Sequence, residues 1–145
     1  MLTVSKLNEK NLQAFQSCLS KNGIPEVKDI IYNHQNYFVL KDKDEIIGYT
    51  YFKNQEKDIS IKEIEIFNSK EEKILMIDLL IKSVINAADM RGMDSVVIDE
   101  SLLKNNVDWL QNMGFEQKDE RGKFYMDVKK FFARQCNGCN KDCTH

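Results

Sequence analysis

The sequence predicts a mixed α/β (α+β) fold in which a mostly antiparallel sheet packs on one long central helix. Three observations carry this. Residues 69–92 read as a helix that is apolar around most of its circumference: Ile74, Leu75, Ile77, Leu80, Ile81, Val84, Ile85 and Ala88 leave only a narrow polar stripe at Asp78, Lys82, Asn86 and Asp89. Residues 37–40, 46–52 and 59–66 are strand-like runs joined by short polar turns, the pattern of an antiparallel meander. Residues 96–98, Val-Val-Ile, form an unbroken apolar run, as a strand covered on both faces does. Strand, helix and buried strand in succession make a crossover, so 59–66 and 96–98 are expected to be parallel, with a right-handed connection.

The elements follow in chain order. Residues 3–6 predict a first strand. Asn8 can cap a helix over 9–19 with Leu12, Phe15 and Leu19 on one face; Cys18 lies near that face and reads as a small buried hydrophobe. Asn22-Gly23 breaks the chain, and Pro25 suits the first turn of a short helix carrying Val27, Ile30 and Ile31. Polar turns are expected at 41–45 and 54–57, and Gly48 within a strand suggests close backbone approach or a bend. Along 59–66, Ile59 and Ile61 share one phase while Ile64 and Ile66 share the other. Either an extra residue at Lys62-Glu63 makes a β-bulge, or both faces are buried. Ser69 with Glu72 is a capping box for the long helix, and Gly92 after Arg91 is its left-handed stop. At about 1.5 Å per residue the helix is roughly 33 Å long, the width of a small domain. Asn105 can cap a short helix through Met113, and 115–118 with 123–128 predict a last hairpin.

The chain has 145 residues, enough for one domain with a substantial core. Its net charge of −2 lacks the basic excess of a nucleic-acid binder. The first residues continue into a strand pattern without an apolar leader, and no run reaches membrane-spanning length, so a cytoplasmic protein with no membrane partner is expected. Thiols then stay reduced, and the four cysteines are not a disulfide framework.

The order of elements, the bulge before the long helix, Glu45-Ile46-Ile47-Gly48-Tyr49 and Trp109-Leu110-Gln111-Asn112-Met113-Gly114-Phe115 together resemble the GNAT-type N-acetyltransferase superfamily over residues 1–132. The resemblance implies a parallel strand pair that splays at the bulge to admit acetyl-CoA. It implies acyl transfer to the amine of a small molecule or a protein. It places cofactor contacts at Ile66, Phe67, Ser69, Lys70, Lys73, Ile74 and Leu75. The physical basis is a helix N-terminus, whose free N–H groups and dipole suit a pyrophosphate. Two departures stand out. The stretch 69–76 contains no glycine and carries Glu71 and Glu72, and Leu110 occupies the position where the family often places a tyrosine acid. Glu63 and Glu65, at and just after the bulge, are the candidate catalytic carboxylates, able to take a proton from an incoming ammonium. Both also fit simple solvent-facing strand positions. Two functions follow: an N-acyltransferase, or a domain that kept the fold for binding or sensing.

Residues 133–145 form a separate polar tail. Cys136, Cys139, Cys143 and His145 offer three thiols and an imidazole within ten residues, a set known for tetrahedral zinc. Three thiolates also suit an iron–sulfur cluster or a soft toxic metal, and a reduced tail without metal fits the same residues.

Overall fold

The computed structural model describes residues 2–28, 30–67, 73–103, 107–117 and 122–138, without the side chains of 31, 32 and 134–138. Among them are the strands β1 (Leu2–Lys6), β2 (Tyr37–Asp42), β3 (Glu45–Gln55), β4 (Asp58–Ile66), β5 (Ser95–Asp99), β6 (Glu116–Gln117) and β7 (Lys123–Asp127). The helices are α1 (Leu12–Lys21), α2 (Ile30–Asn33), α3 (Lys73–Met90), α4 (Val107–Met113) and α5 (Val128–Gly138). The strands follow the order β1-β2-β3-β4-β5-β7-β6, mostly antiparallel with β4 and β5 parallel, as the crossover requires. The chain forms two compact units, Met1–Phe52 with Glu63–Val84, and Lys53–Lys62 with Ile85–His145.

In the first unit, β1 pairs with β2 and β2 with β3. The core holds Leu7, Phe15, Leu19, Ile30, Tyr37, Val39, Ile46, Tyr49 and Phe67. Phe15 presents its edge to Tyr37 and Tyr49 at centroid distances of 5.5 and 5.3 Å, the arrangement an aromatic quadrupole favours. Asn8 and Asn11 cap each other's backbone N–H groups, as expected for the N-terminus at Asn8, although the first turn is 3-10 and the α-helix proper begins at Leu12. The short helix expected from Pro25 begins instead at Ile30. The Gln16 amide donates to the Val27 carbonyl at 3.0 Å and its oxygen accepts from the Val27 N–H at 3.2 Å, which holds this stretch against α1. Cys18 is half-buried on the core edge, as its position suggests, and burial pushes its thiol pKa up.

In the second unit, β4 pairs with β5 from Asp58–Ser95 to Ile61–Ile98, and β7 lies between β5 and β6. Val96 and Ile98 on one face and Val97 on the other are all buried, as a strand covered on both faces must be. Gly92 takes φ 71° and closes α3: the Met93 N–H donates to the Ala88 carbonyl at 2.8 Å and the Gly92 N–H to the Asp89 carbonyl at 3.1 Å. The last helix, α5, starts where the final strand was expected to end. It buries Val128 and Phe131 and crosses the 132/133 junction to reach Gly138. The capping box at Ser69 and Glu72 and the cap at Asn105 lie outside the described residues.

Candidate active site

The site is built from β2, β3 and the second half of β4. Residues 41 and 42 of β2 pair with 46 and 45 of β3, which extrapolates to Tyr37 opposite Thr50. The register shifts between Leu40 and Lys41, leaving Ile47 as an extra residue, and Tyr37 stands opposite Tyr51 instead. This shift brings Tyr37, Tyr49 and Tyr51 onto one face. The Tyr37 and Tyr51 rings stack at 4.6 Å, and Tyr37 and Tyr49 lie 6.2 Å apart.

The Ile47 carbonyl accepts the Phe67 N–H at 2.7 Å, which ties the end of β4 to the bulged residue. Gly48 fulfils the expectation of close approach: an ideal Cβ there would lie 2.8 Å from the Glu65 carbonyl oxygen and 2.9 Å from Ile66 Cδ1. The Thr50 hydroxyl donates to the Glu63 carbonyl at 2.8 Å. Among the described residues the pairing of β4 with β5 runs as far as Ile61, and burial changes phase at the same place. Ile59 and Ile61 are buried, Lys62, Glu63 and Glu65 are exposed, and Ile64 and Ile66 are half-buried. This matches the phase change read in the sequence, and the register shift of the β2–β3 hairpin is a further irregularity, at Ile47.

Partial burial raises the pKa of Glu63, and the neighbouring Glu65 charge adds to the effect. Tyr37 and Tyr49 are both pushed up, first by burial and second by the Glu63 charge; Tyr51 is raised by the same two causes. The three phenols therefore stay protonated and neutral while Glu63 ionises. Among the described residues no lysine or arginine forms an ion pair with Glu63 or Glu65.

Of the expected cofactor contacts, Ile66 is half-buried and Phe67 is buried with its N–H spent on Ile47. Lys73 is exposed at the start of α3, Ile74 is half-buried, Leu75 is 49% exposed, and the first turn holds no acidic residue. Ser69 and Lys70 lie outside the described residues, as do Glu71, Glu72, Cys139, Cys143, His145 and the side chain of Cys136. Among the described residues no group of three or more His, Cys, Asp or Glu could hold a metal ion, and no helix is long and apolar enough to cross a membrane. Leu110, at the family's tyrosine position, is wholly buried and supplies no acid. The sequence reading missed Tyr37. Its signal is the pairing with Tyr51, which appears only once the Ile47 bulge is placed.

No protein-family model matches the sequence, and no curated protein matches it. Solved structures do. N-acetylglutamate synthase from Neisseria gonorrhoeae, complexed with coenzyme A and L-arginine, superposes with a TM-score of 0.66 at 9% identity over 87% of this chain, which spans 33% of that one. The ribosomal-protein-S18-alanine N-acetyltransferase from Escherichia coli gives a TM-score of 0.66 at 12% identity, over 88% of this chain and 94% of that one. An acetyltransferase of the GNAT family from Staphylococcus aureus Mu50 gives 0.57 at 14% identity, over 88% and 99%. The fold is thus that of the GNAT-type N-acetyltransferases.

Proposed function

We propose that the protein is an N-acyltransferase that uses acyl-CoA to acylate a primary amine, with Glu63 as general base. The GNAT-type fold supports the reaction class. The observation that carries the assignment of the base is the Glu63 carboxyl: raised in pKa, without a cationic partner among the described residues, and set just past the last β4 residue paired with β5.

The residues present fit acyl-CoA in part. Lys73 and the first-turn N–H groups of α3 suit a diphosphate, and Leu75 offers exposed apolar surface; the glycine-free sequence of 69–76 is bulkier than the family's loop. When bound, acyl-CoA supplies an acyl group on a thioester sulfur. Glu63 takes a proton from the acceptor ammonium, directly or through one water, and frees the nitrogen lone pair. Its raised pKa makes it a better base than an ordinary glutamate. Thr50 fixes the backbone at Glu63, and the bond from the Phe67 N–H to Ile47 fixes the strand beyond it. In the balanced reaction a C–N bond replaces the C–S bond. One N–H proton leaves through Glu63 to solvent, and a second ends on the departing thiol.

The test is product analysis by mass spectrometry after incubation with acetyl-CoA and a panel of amines. Amine-dependent release of coenzyme A is expected, and Glu63→Gln should lower kcat by about 100-fold or more. Absence of both turnover and coenzyme A binding would overturn the enzyme reading and favour a binding or sensing domain.

For the tail we propose zinc on Cys136, Cys139, Cys143 and His145, with an iron–sulfur cluster as the second choice. The spacing of these residues in the sequence supports it.

A further inference from the structure

A cleft of about 390 Å³ opens where the second half of α1 meets the turn from β2 into β3. That volume lies in the range of small-molecule sites. Its apolar side is Ala14 and Cys18 of α1 with Ile46 of β3. The Cys18 thiol donates to the Ile46 carbonyl at 3.5 Å, which joins helix to strand and leaves the sulfur committed. The end of the helix is closed as well. The Asn22 side-chain amide donates to the Cys18 carbonyl at 2.8 Å, the Ile24 N–H to the Leu19 carbonyl at 2.9 Å and the Gly23 N–H to the Ser20 carbonyl at 3.1 Å.

What stays uncommitted is charge. Lys21 lines the cleft from α1, and Asp44 and Glu45 line it from the turn and the start of β3. Among the described residues none of these three side chains forms an ion pair or a hydrogen bond, and the Ser17 hydroxyl, also in the lining, has no partner either. Opposite charges thus face one cavity without meeting across it. A ligand with a single charge would leave the other sign unmatched, whereas one with both signs answers each. We propose that this cleft binds a free α-amino acid with an apolar side chain. Lys21 and Ser17, four residues apart on one face of α1, receive the carboxylate. Asp44 and Glu45 receive the ammonium, and the side chain lies over Ala14, Cys18 and Ile46. The polarity suits the helix too: in the last turn of α1 a carboxylate needs the Lys21 charge, because it meets the negative end of the dipole. No β4 residue lines the cleft, so Glu63 takes no part in it, and the site stands independently of the acyltransferase reading.

The experiment is an amide-resolved NMR titration of the full chain with L-leucine, L-leucinamide and 4-methylpentanoate. The three share a side chain and carry both charges, the ammonium alone and the carboxylate alone. Leucine should shift residues 14–22 and 44–46 and leave β4 unmoved, and the other two should bind at least about fivefold more weakly. Lys21→Glu makes the charges of the cleft all negative and should reverse the order in favour of leucinamide. Asp44→Lys with Glu45→Lys makes them all positive and should favour 4-methylpentanoate. A misfolded variant cannot produce either gain. Equal affinity for the three ligands, or the same order in wild type and both variants, would overturn the proposal. Leucine shifts centred on β4 would overturn it too and would make the amino acid a candidate acceptor. So would the absence of shifts with leucine, methionine and phenylalanine at about 10 mM, a concentration that fills even a millimolar site.

Discussion

At the scale of the residue, Glu63 is held at a cost to the fold. A carboxyl whose pKa is raised on folding binds its proton more tightly in the native state than in the unfolded chain. Its contribution to stability is therefore fully present below the unfolded value and is lost as pH rises through the native value. The causes are partial burial first and the Glu65 charge second, and a glutamine removes both. Glu63→Gln should accordingly melt above the wild type at pH 7, and the two curves should converge near pH 3. Thermal unfolding at pH 3, 5 and 7 checks this; an equal offset at all three pH values would show that ionisation is not involved. The gain in stability should accompany the loss of turnover, as expected where a functional group sits in an environment unfavourable to its charge. Cys18 shows the opposite case: burial raises its thiol pKa, which leaves it an inert packing residue.

At the scale of the element, β3 is the strand on which the site depends. Gly48 in a strand already suggests close approach, and the structure supplies the neighbour, the Glu65 carbonyl on β4. The Ile47 bulge beside it has no comparable mark, because an isoleucine at a bulge looks like any other strand isoleucine. The expected turns at 41–45 and 54–57 also exceed the observed ones, since β3 runs from Glu45 to Gln55. Lys43 and Glu56 accept φ near 59° and 54° there, conformations that composition does not announce for these residues. Without turn lengths and the bulge, the pairing of Tyr37 with Tyr51 could not be read, and the tyrosine face stayed hidden. Gly48→Ala tests the approach. Its Cβ would meet backbone rather than a movable side-chain tip, so β3 and β4 must part. The expected loss is about 1–3 kcal/mol in urea unfolding. A variant as stable as the wild type would mean that the strands yield without cost.

At the scale of the whole molecule, the order of strands and helices was legible because each element carries its own periodicity and its own stop. The parallel β4–β5 pair, buried β5 and the left-handed end of α3 follow directly from 59–66, 96–98 and Gly92. The phase change along β4 was legible too, and it leaves Glu63 and Glu65 exposed. The boundary of the folded part was harder to read. Residues 129–132 and the polar residues after them share no break in pattern, and α5 continues to Gly138. Along the described side chains of α5, Val128 and Phe131 are buried, Phe132 is half-buried and Ala133 is exposed. A chain ending at Phe132 should thus keep its contacts and melt within a few degrees of the full chain, as surface changes do. It should also keep its acyl transfer. The full chain, purified anaerobically, should carry close to one zinc per molecule, and the shortened chain none. A full-length variant with Cys136→Ser, Cys139→Ser and Cys143→Ser should match the shortened chain in metal content while leaving the melting curve unchanged. Iron with inorganic sulfide in place of zinc would select the cluster. Metal-free wild type that takes up neither would remove the tail from the metal-binding reading, and unfolding on truncation would place part of 133–138 in the folded domain.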